Sequence, residues 1–244
     1  MTQPPPAQPP QYPQQPQQYQ QAQALPKFEI LHPGAYPILL YRLSHGETFK
    51  ASAGAMVAMD AELKLTAKME GGFIQAMARK FLTSENVFFQ RLTADKGPGT
   101  AYFAPTFPGG IVPVQLDGSF RLRIQKGGYL ASTDGVTLET ISQGLSKGLF
   151  SKEGFFILRA GGAGLLFLSS YGDIHVLDLP PGKQMFIDNG HLVAWDETMP
   201  YSIRLATKSV VTSLTSGEGL VCTFTGPGRV YLQTRSPQAV KPAK

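Results

Sequence analysis

Two groupings of side chains in this sequence have the residue types and spacing for chemistry. Asp173-Ile174-His175 puts a carboxylate and an imidazole on one strand face, and His191 follows 16 residues after His175. Carboxylate and imidazole donors in such an arrangement suit a divalent transition metal of the kind double-stranded β-helix oxygenases hold. That chemistry needs three oriented ligands, and only Asp173 and His175 are close in sequence. The second grouping is Arg121, Arg123 and Lys126, which stand on or beside one strand near Tyr129. Cations interleaved with an exposed aromatic ring are what single-stranded RNA recognition uses. Arg229-Val230-Tyr231 is the other stretch of this kind.

The nucleotide and acyl-transfer motifs are missing: there is no G-x-x-x-x-G-K-[ST], no third glycine after Gly162-Ala163-Gly164 or Gly226-Pro227-Gly228, and no G-x-S-x-G. The net charge is +5 with only 16% charged residues and no run of five like charges, so nucleic acid is not an expected partner. Cys222 is the single cysteine, which excludes an internal disulfide and a thiolate metal cluster. It sits in the apolar run Leu220–Phe224 and is expected to behave as a small buried hydrophobe. No catalytic residue and no cofactor is assigned, and the chain is not expected to be an enzyme.

What must position these residues is a set of short strands. Twenty-six glycines and twenty prolines, with 42% hydrophobic residues, favour many turns between short β elements. The segment Gly46–Asp60 aligns with Gly182–Asp196 at an offset of 136, matching Gly54 to Gly190, the Val-Ala pair, and Asp60 to Asp196. Gly118–Ala131 is a degenerate third copy starting 64 residues before Gly182. A second block keeps step: Glu85, Glu153 and Glu218 each precede a glycine turn, and Gly99, Gly164 and Gly228 are spaced by 65 and 64. Two blocks with one period make the ordered region a triplication, with units at about 27–104, 105–168 and 169–236.

Carboxylates that recur with the scaffold belong to the scaffold, because acid and base roles need two different environments. Asp60 and Asp196 are therefore expected to accept backbone N–H bonds, and Glu85, Glu153 and Glu218 to cap hairpins or helix ends. The Gly-x-Gly stretches are expected to turn hairpins. Phe120–Ile124 alternates apolar and basic residues, as a half-buried strand does. Three connectors read as short helices: 73–82 from Phe73, Ile74, Met77, Ala78, Phe81 and Leu82; 138–149 from Leu138, Ile141, Leu145 and Leu149; and Lys208–Leu214. The first, with Arg79 and Lys80 opposite its apolar stripe, could also lie on a membrane surface.

Outside this core, residues 1–26 are uncharged up to Pro26, with ten Gln and seven Pro before Leu25, and read as a disordered tail whose partner is unknown. Residues 237–244 form a second short tail. No apolar run reaches the length of a membrane span, and there is neither a signal core nor an early arginine-rich stretch, so cytoplasm is the expected compartment.

Glu153-Gly-Phe-Phe, Gly172-Asp-Ile-His175, Pro181-Gly182, Gly190-His-Leu-Val-Ala-Trp-Asp196, Gly217-Glu-Gly-Leu and Phe224-Thr-Gly-Pro-Gly-Arg-Val-Tyr-Leu-Gln-Thr-Arg-Ser-Pro237 stand in this order. Together they resemble the altered-inheritance-of-mitochondria family, number twenty-four, over about 28–237. The family is also called TRAP-like, for its similarity to the tryptophan RNA-binding attenuation protein. The resemblance implies an all-β fold of three TRAP-like repeats, of β-sandwich or double-stranded β-helix type, in a pseudo-threefold arrangement with short connector helices. It carries over no catalytic residue. The repeated strand edges of a triplication tend to be closed by assembly, so a homo-oligomeric scaffold or binding protein is expected. The resemblance links it to mitochondrial inner-membrane organisation, in association with a membrane or a membrane protein, and makes mitochondria the alternative compartment. RNA binding through basic and aromatic strand faces is the second reading, and a metal-dependent enzyme of double-stranded β-helix type the third.

Overall fold

The computed structural model describes residues 25–68, 89–142, 156–205 and 220–237. Among these the chain is nearly all strand, with one 3-10 turn at Asn189–His191. The first stretch contributes β1 (Phe28–Leu31), β2 (Ile38–Leu43), β3 (Thr48–Ser52), β4 (Met56–Met59), β5 (Lys64–Lys68), β6 (Phe89–Thr93) and β7 (Gly99–Phe103). The second contributes β8 (Ile111–Asp117), β9 (Leu122–Gln125), β10 (Tyr129–Thr133), β11 (Val136–Ser142) and the long β12 (Phe156–Ser169). The third contributes β13 (Ile174–Leu179), β14 (Gln184–Asp188), β15 (Leu192–Asp196), β16 (Tyr201–Leu205), β17 (Leu220–Thr225) and β18 (Gly228–Gln233).

One pairing scheme occurs in each stretch. β7 lies between β2 and β4, the C-terminal half of β12 between β8 and β10, and β18 between β13 and β15, all antiparallel. Likewise β6 lies between β3 and β5, the N-terminal half of β12 between β9 and β11, and β17 between β14 and β16. The register slips at the same place each time, between Met56 and Ala58, Tyr129 and Ala131, and Leu192 and Ala194. A bulge of this kind bends and twists its strand, turning it from one sheet toward the next. Two cross-pairings then join the stretches: β10 pairs with β3, and β15 with β9.

The Gly-x-Gly stretches are corners and not the hairpins the sequence suggests. β6 does not pair with β7, nor β17 with β18, and β12 runs unbroken through Gly162 and Gly164 as it passes from one sheet into the other. Gly164 has φ +151° there, and a Cβ on it would lie 2.2 Å from Thr133 Oγ1. Gly228 repeats this with φ +148° and Met199 Cγ at 2.4 Å, so glycine is needed both for conformation and for space.

The helix expected over 138–149 is a strand as far as Ser142. Leu138 joins the core of the second stretch, and Ile141 packs against that of the third. Residues three apart on a strand point to opposite faces, and here Leu138 is buried on one face while Ile141 packs on the other, beyond the exposed Thr137 and Glu139, which imitates a helical spacing. The expected helices at 73–82 and Lys208–Leu214, and Glu85, Glu153 and Glu218, lie outside the described residues. Among the described residues no helix is long and apolar enough to cross a membrane.

Among the described residues three apolar clusters fill the interior, and each takes residues from at least two stretches. Leu130, Ala131 and Phe167 of the second stretch pack with Tyr41, Phe49 and Phe103 of the first. Val193, Ala194 and Tyr231 of the third pack with Leu122, Ile124 and Leu158 of the second. Trp195, Phe224 and Cys222 centre the last cluster, which takes Ile157 from the second stretch.

Candidate functional site

The first chemical grouping is brought to one end of a sheet without converging. His175 on β13 faces Leu232 of β18, and Leu192, just after His191, faces Leu232 from the other side, so the two histidines are separated by the width of β18. His191 Nδ1 is 2.8 Å from the carbonyl oxygen of Gln233. Asp173 Oδ1 accepts from Ile174 N at 2.9 Å, and Asp173 N donates to Thr234 Oγ1 at 2.8 Å. Among the described residues no three His, Cys, Asp or Glu side chains are grouped to hold a metal ion.

The second grouping is split between surface and interior. Arg121 and Lys126 are exposed, but Tyr129 is buried, its hydroxyl bonded to Ser132 Oγ at 3.0 Å and donating to the Lys50 carbonyl at 3.3 Å. It cannot stack on a base, which corrects the expected RNA contact. Tyr129 opens β10, the strand that crosses to β3, and is enclosed by that junction.

Arg123 belongs to a charge cluster that the sequence reading did not identify. It lies opposite Arg159 in the β9·β12 ladder, a like-charged pair that would be unfavourable alone. Glu197, which follows β15 of the next stretch, supplies the counter-charge. Arg159 Nε donates to Glu197 Oε1 at 2.7 Å, Arg123 Nε is 3.5 Å from the same oxygen, and Arg121 Nη1 is 4.0 Å from Oε2. Arg159 also reaches Glu139 Oε2 at 3.1 Å. The hydrogen bond to Glu197 is the main cause holding the Arg159 guanidinium above its usual pKa. The Arg123 guanidinium lies 5.4 Å from the Tyr201 ring centroid, where a cation is attracted to the ring face.

The other junction carries the same device. Lys50 lies opposite Arg91 in the β3·β6 ladder, and Asp134, which follows β10, serves both. Arg91 Nη2 donates to Asp134 Oδ1 at 2.8 Å, and Lys50 Nζ is 3.8 Å from it. Lys50 is buried and also donates to the carbonyls of Val136 at 2.5 Å and Asp134 at 3.2 Å, so its charge is met on several sides. At each junction one stretch thus sets a like-charged cross-strand pair against one acid of the next stretch, with Arg121 as a third, more distant cation at the second. The signal in sequence was an acid one residue after the recurring Asp-or-Thr position, at Asp134 and Glu197.

The recurring carboxylates hold the corners. Asp60 Oδ2 accepts from Thr100 N at 2.7 Å, Asp196 Oδ2 from Arg229 N at 2.8 Å, and Thr133 Oγ1 replaces them by accepting from Leu165 N at 3.0 Å. Burial raises the Asp196 pKa, and the Arg229 N–H bond opposes that shift. Gly54 and Gly190, aligned in sequence, do different work. Gly54 takes φ +79° in the β3–β4 turn, whereas Gly190 gives close approach to Ser236, whose Oγ would lie 2.3 Å from an added Cβ. Cys222 is buried on β17, its Sγ 3.6 Å from Asn189 Oδ1, and burial pushes its thiol pKa up to about 12, far from a nucleophile's.

A family model described as mitochondrial biogenesis AIM24 matches residues 28–235. An uncharacterised protein of Streptococcus pyogenes serotype M6 is 31% identical over 215 residues, covering 85% of this chain and 85% of that protein. The crystal structure of a Streptococcus pyogenes protein superposes with a TM-score of 0.71 at 29% identity, covering 87% of this chain and 94% of that one.

Proposed function

The chain belongs to the mitochondrial biogenesis AIM24 family, and from that premise we propose that it is a non-enzymatic β-scaffold or binding protein that works as a homo-oligomer. One observation carries the reading: among the described residues, the recurring acids of the corners and junctions are engaged in joining one sheet to the next. Asp60 and Asp196 are spent on corner N–H groups, and Asp134 and Glu197 on junction cations. A catalytic site needs groups held out of such pairing, with environments that push two pKa values apart. The chain is built in this reading from three TRAP-like units in succession, supported by the threefold recurrence of the pairing scheme, the bulge and the corner bond. The proposed setting, organisation of a membrane or organelle, rests on the sequence resemblance; the family's description adds only mitochondrial biogenesis.

The test is elemental analysis of the purified full chain together with His175→Ala and His191→Ala. A scaffold is expected to carry no stoichiometric transition metal. One ion per chain, lost in both variants, would overturn the reading in favour of a metal-dependent enzyme.

A further inference from the structure

Each junction joins the bulged strand of one stretch to the strand just before the bulged one in the preceding scheme: β10 to β3, and β15 to β9. The same logic leaves one strand of each kind over, β4 at the start of the chain and β14 at its end. Among the described residues β4 pairs only with β7, and β14 only with β17.

The side chains on these edges are those of an interface. Val57 on β4 is 56% exposed, while its counterparts in the formed junctions, Leu130 and Val193, are each 2% exposed. Ala58 is exposed where Ala131 and Ala194 are fully buried, and all of β4 is apolar, Met-Val-Ala-Met. On β14, Phe186 is 54% exposed. An uncovered apolar strand edge presents unpaired N–H and C=O groups and invites another strand.

The charges identify which strand. At the inner junctions β3 or β9 and its neighbour offer Lys50 with Arg91, or Arg123 with Arg159, and the incoming stretch offers Asp134 or Glu197. At the free end of the chain these cation positions are Phe186 and Thr223, directly opposite each other. At the free start the acid position, one after Asp60, is Ala61. The cations and the acid have been lost together, so the two free edges match each other as an uncharged version of the same junction.

We propose that β4 of one chain pairs antiparallel with β14 of a second copy, so that copies join head to tail. This rests on the scaffold reading and names its contact surface. By the register of the two formed junctions, Met59 faces Phe186 and Ala58 faces Ile187 of the neighbouring copy. Such a contact is heterologous, using different patches on the two copies, and closes into a ring or continues as a filament.

Sedimentation velocity of the full chain tests this with Val57→Arg and Phe186→Glu, and with the milder Val57→Ser and Phe186→Ser should the charged forms melt early. Wild type is expected to sediment as an assembly, and each variant as the 26.4 kDa monomer. An equimolar mixture of Val57→Arg and Phe186→Glu chains is expected to give a one-to-one dimer and nothing larger, because each retains the edge the other lacks. A monomeric wild type, variants of wild-type mass, or a mixture that stays monomeric would overturn the proposal. A monomeric wild type would also end the homo-oligomer part of the scaffold reading, whereas variants of wild-type mass overturn the β4–β14 contact alone, and the metal analysis tests the non-enzymatic part independently.

Discussion

The two inner junctions and the two free edges use the same strand positions for opposite chemistry. Inside, Leu130 and Val193 are sealed at 2% exposure, and each junction also sets cross-strand cations against an acid of the next stretch. At the ends, Val57 and Phe186 stand more than half exposed, and the charged positions have become Ala61, Phe186 and Thr223. The contrast teaches that the charges favour an inner junction over pairing with a free edge, which lacks them. Paired charges contribute modestly to stability but strongly to specificity, since a wrong partner leaves them unpaired. A junction between copies can dispense with them and rely on apolar contact.

Five perturbations break or sharpen this contrast. The largest effect is expected inside: Leu130→Ala should cost about 2–5 kcal/mol of unfolding free energy in a denaturant titration, as large-to-small core changes do. Val57→Ala, at the matching exposed position, should change monomer stability by less than about 0.5 kcal/mol. Next, Glu197→Gln should cost about 1–3 kcal/mol, because it leaves Arg123 facing Arg159 with only Glu139, which reaches Arg159 alone, as counter-charge. High salt should shrink that difference by screening the two arginines from each other.

A smaller effect concerns pH. Burial raises the Glu47 pKa, but hydrogen bonds from Lys27, the Ser44 N–H and the Tyr41 hydroxyl outweigh it and hold the carboxyl below its usual value. A depressed folded-state pKa contributes stability that is present above the unfolded carboxylate pKa and lost as pH falls through the folded one. Glu47→Gln should therefore flatten the acid side of the melting-temperature profile, by the equivalent of less than about 1 kcal/mol for so partly exposed a group. Asp196 has the opposite sign: its raised pKa favours the protonated folded form, so its contribution fades as pH rises through the folded value. The smallest effect is at Cys222, which should resist a thiol reagent at neutral pH and react only as the chain unfolds, read by the rate of label uptake.

The strand content and the recurrence of Asp60 and Asp196 were legible because period-two alternation and repeated glycine positions survive in a single sequence. The corners were not, because Gly-x-Gly carries the same residues whether it turns a hairpin or lets β12 pass from one sheet to another. The β11 strand was misread because Leu138 and Ile141 serve two different cores. Tyr129 was read as exposed because nothing local announces that β10 crosses to β3. The charge clusters join residues far apart in sequence, Arg91 with Asp134 and Arg159 with Glu197, and pairing at that distance has no local pattern. Local chemistry was visible, and inter-stretch chemistry was not.

The central claim, that the free edges are complementary across two copies, is tested most directly by cysteines placed at its predicted contact. Met59→Cys and Phe186→Cys are made in separate chains, mixed and oxidised, and the products are resolved under non-reducing denaturing conditions. The account predicts a cross-linked dimer from the mixture, little from either variant alone, and cross-linked multimers from a chain carrying both. A doubly substituted chain that cross-links only within itself, or a mixture that yields no dimer, would contradict it.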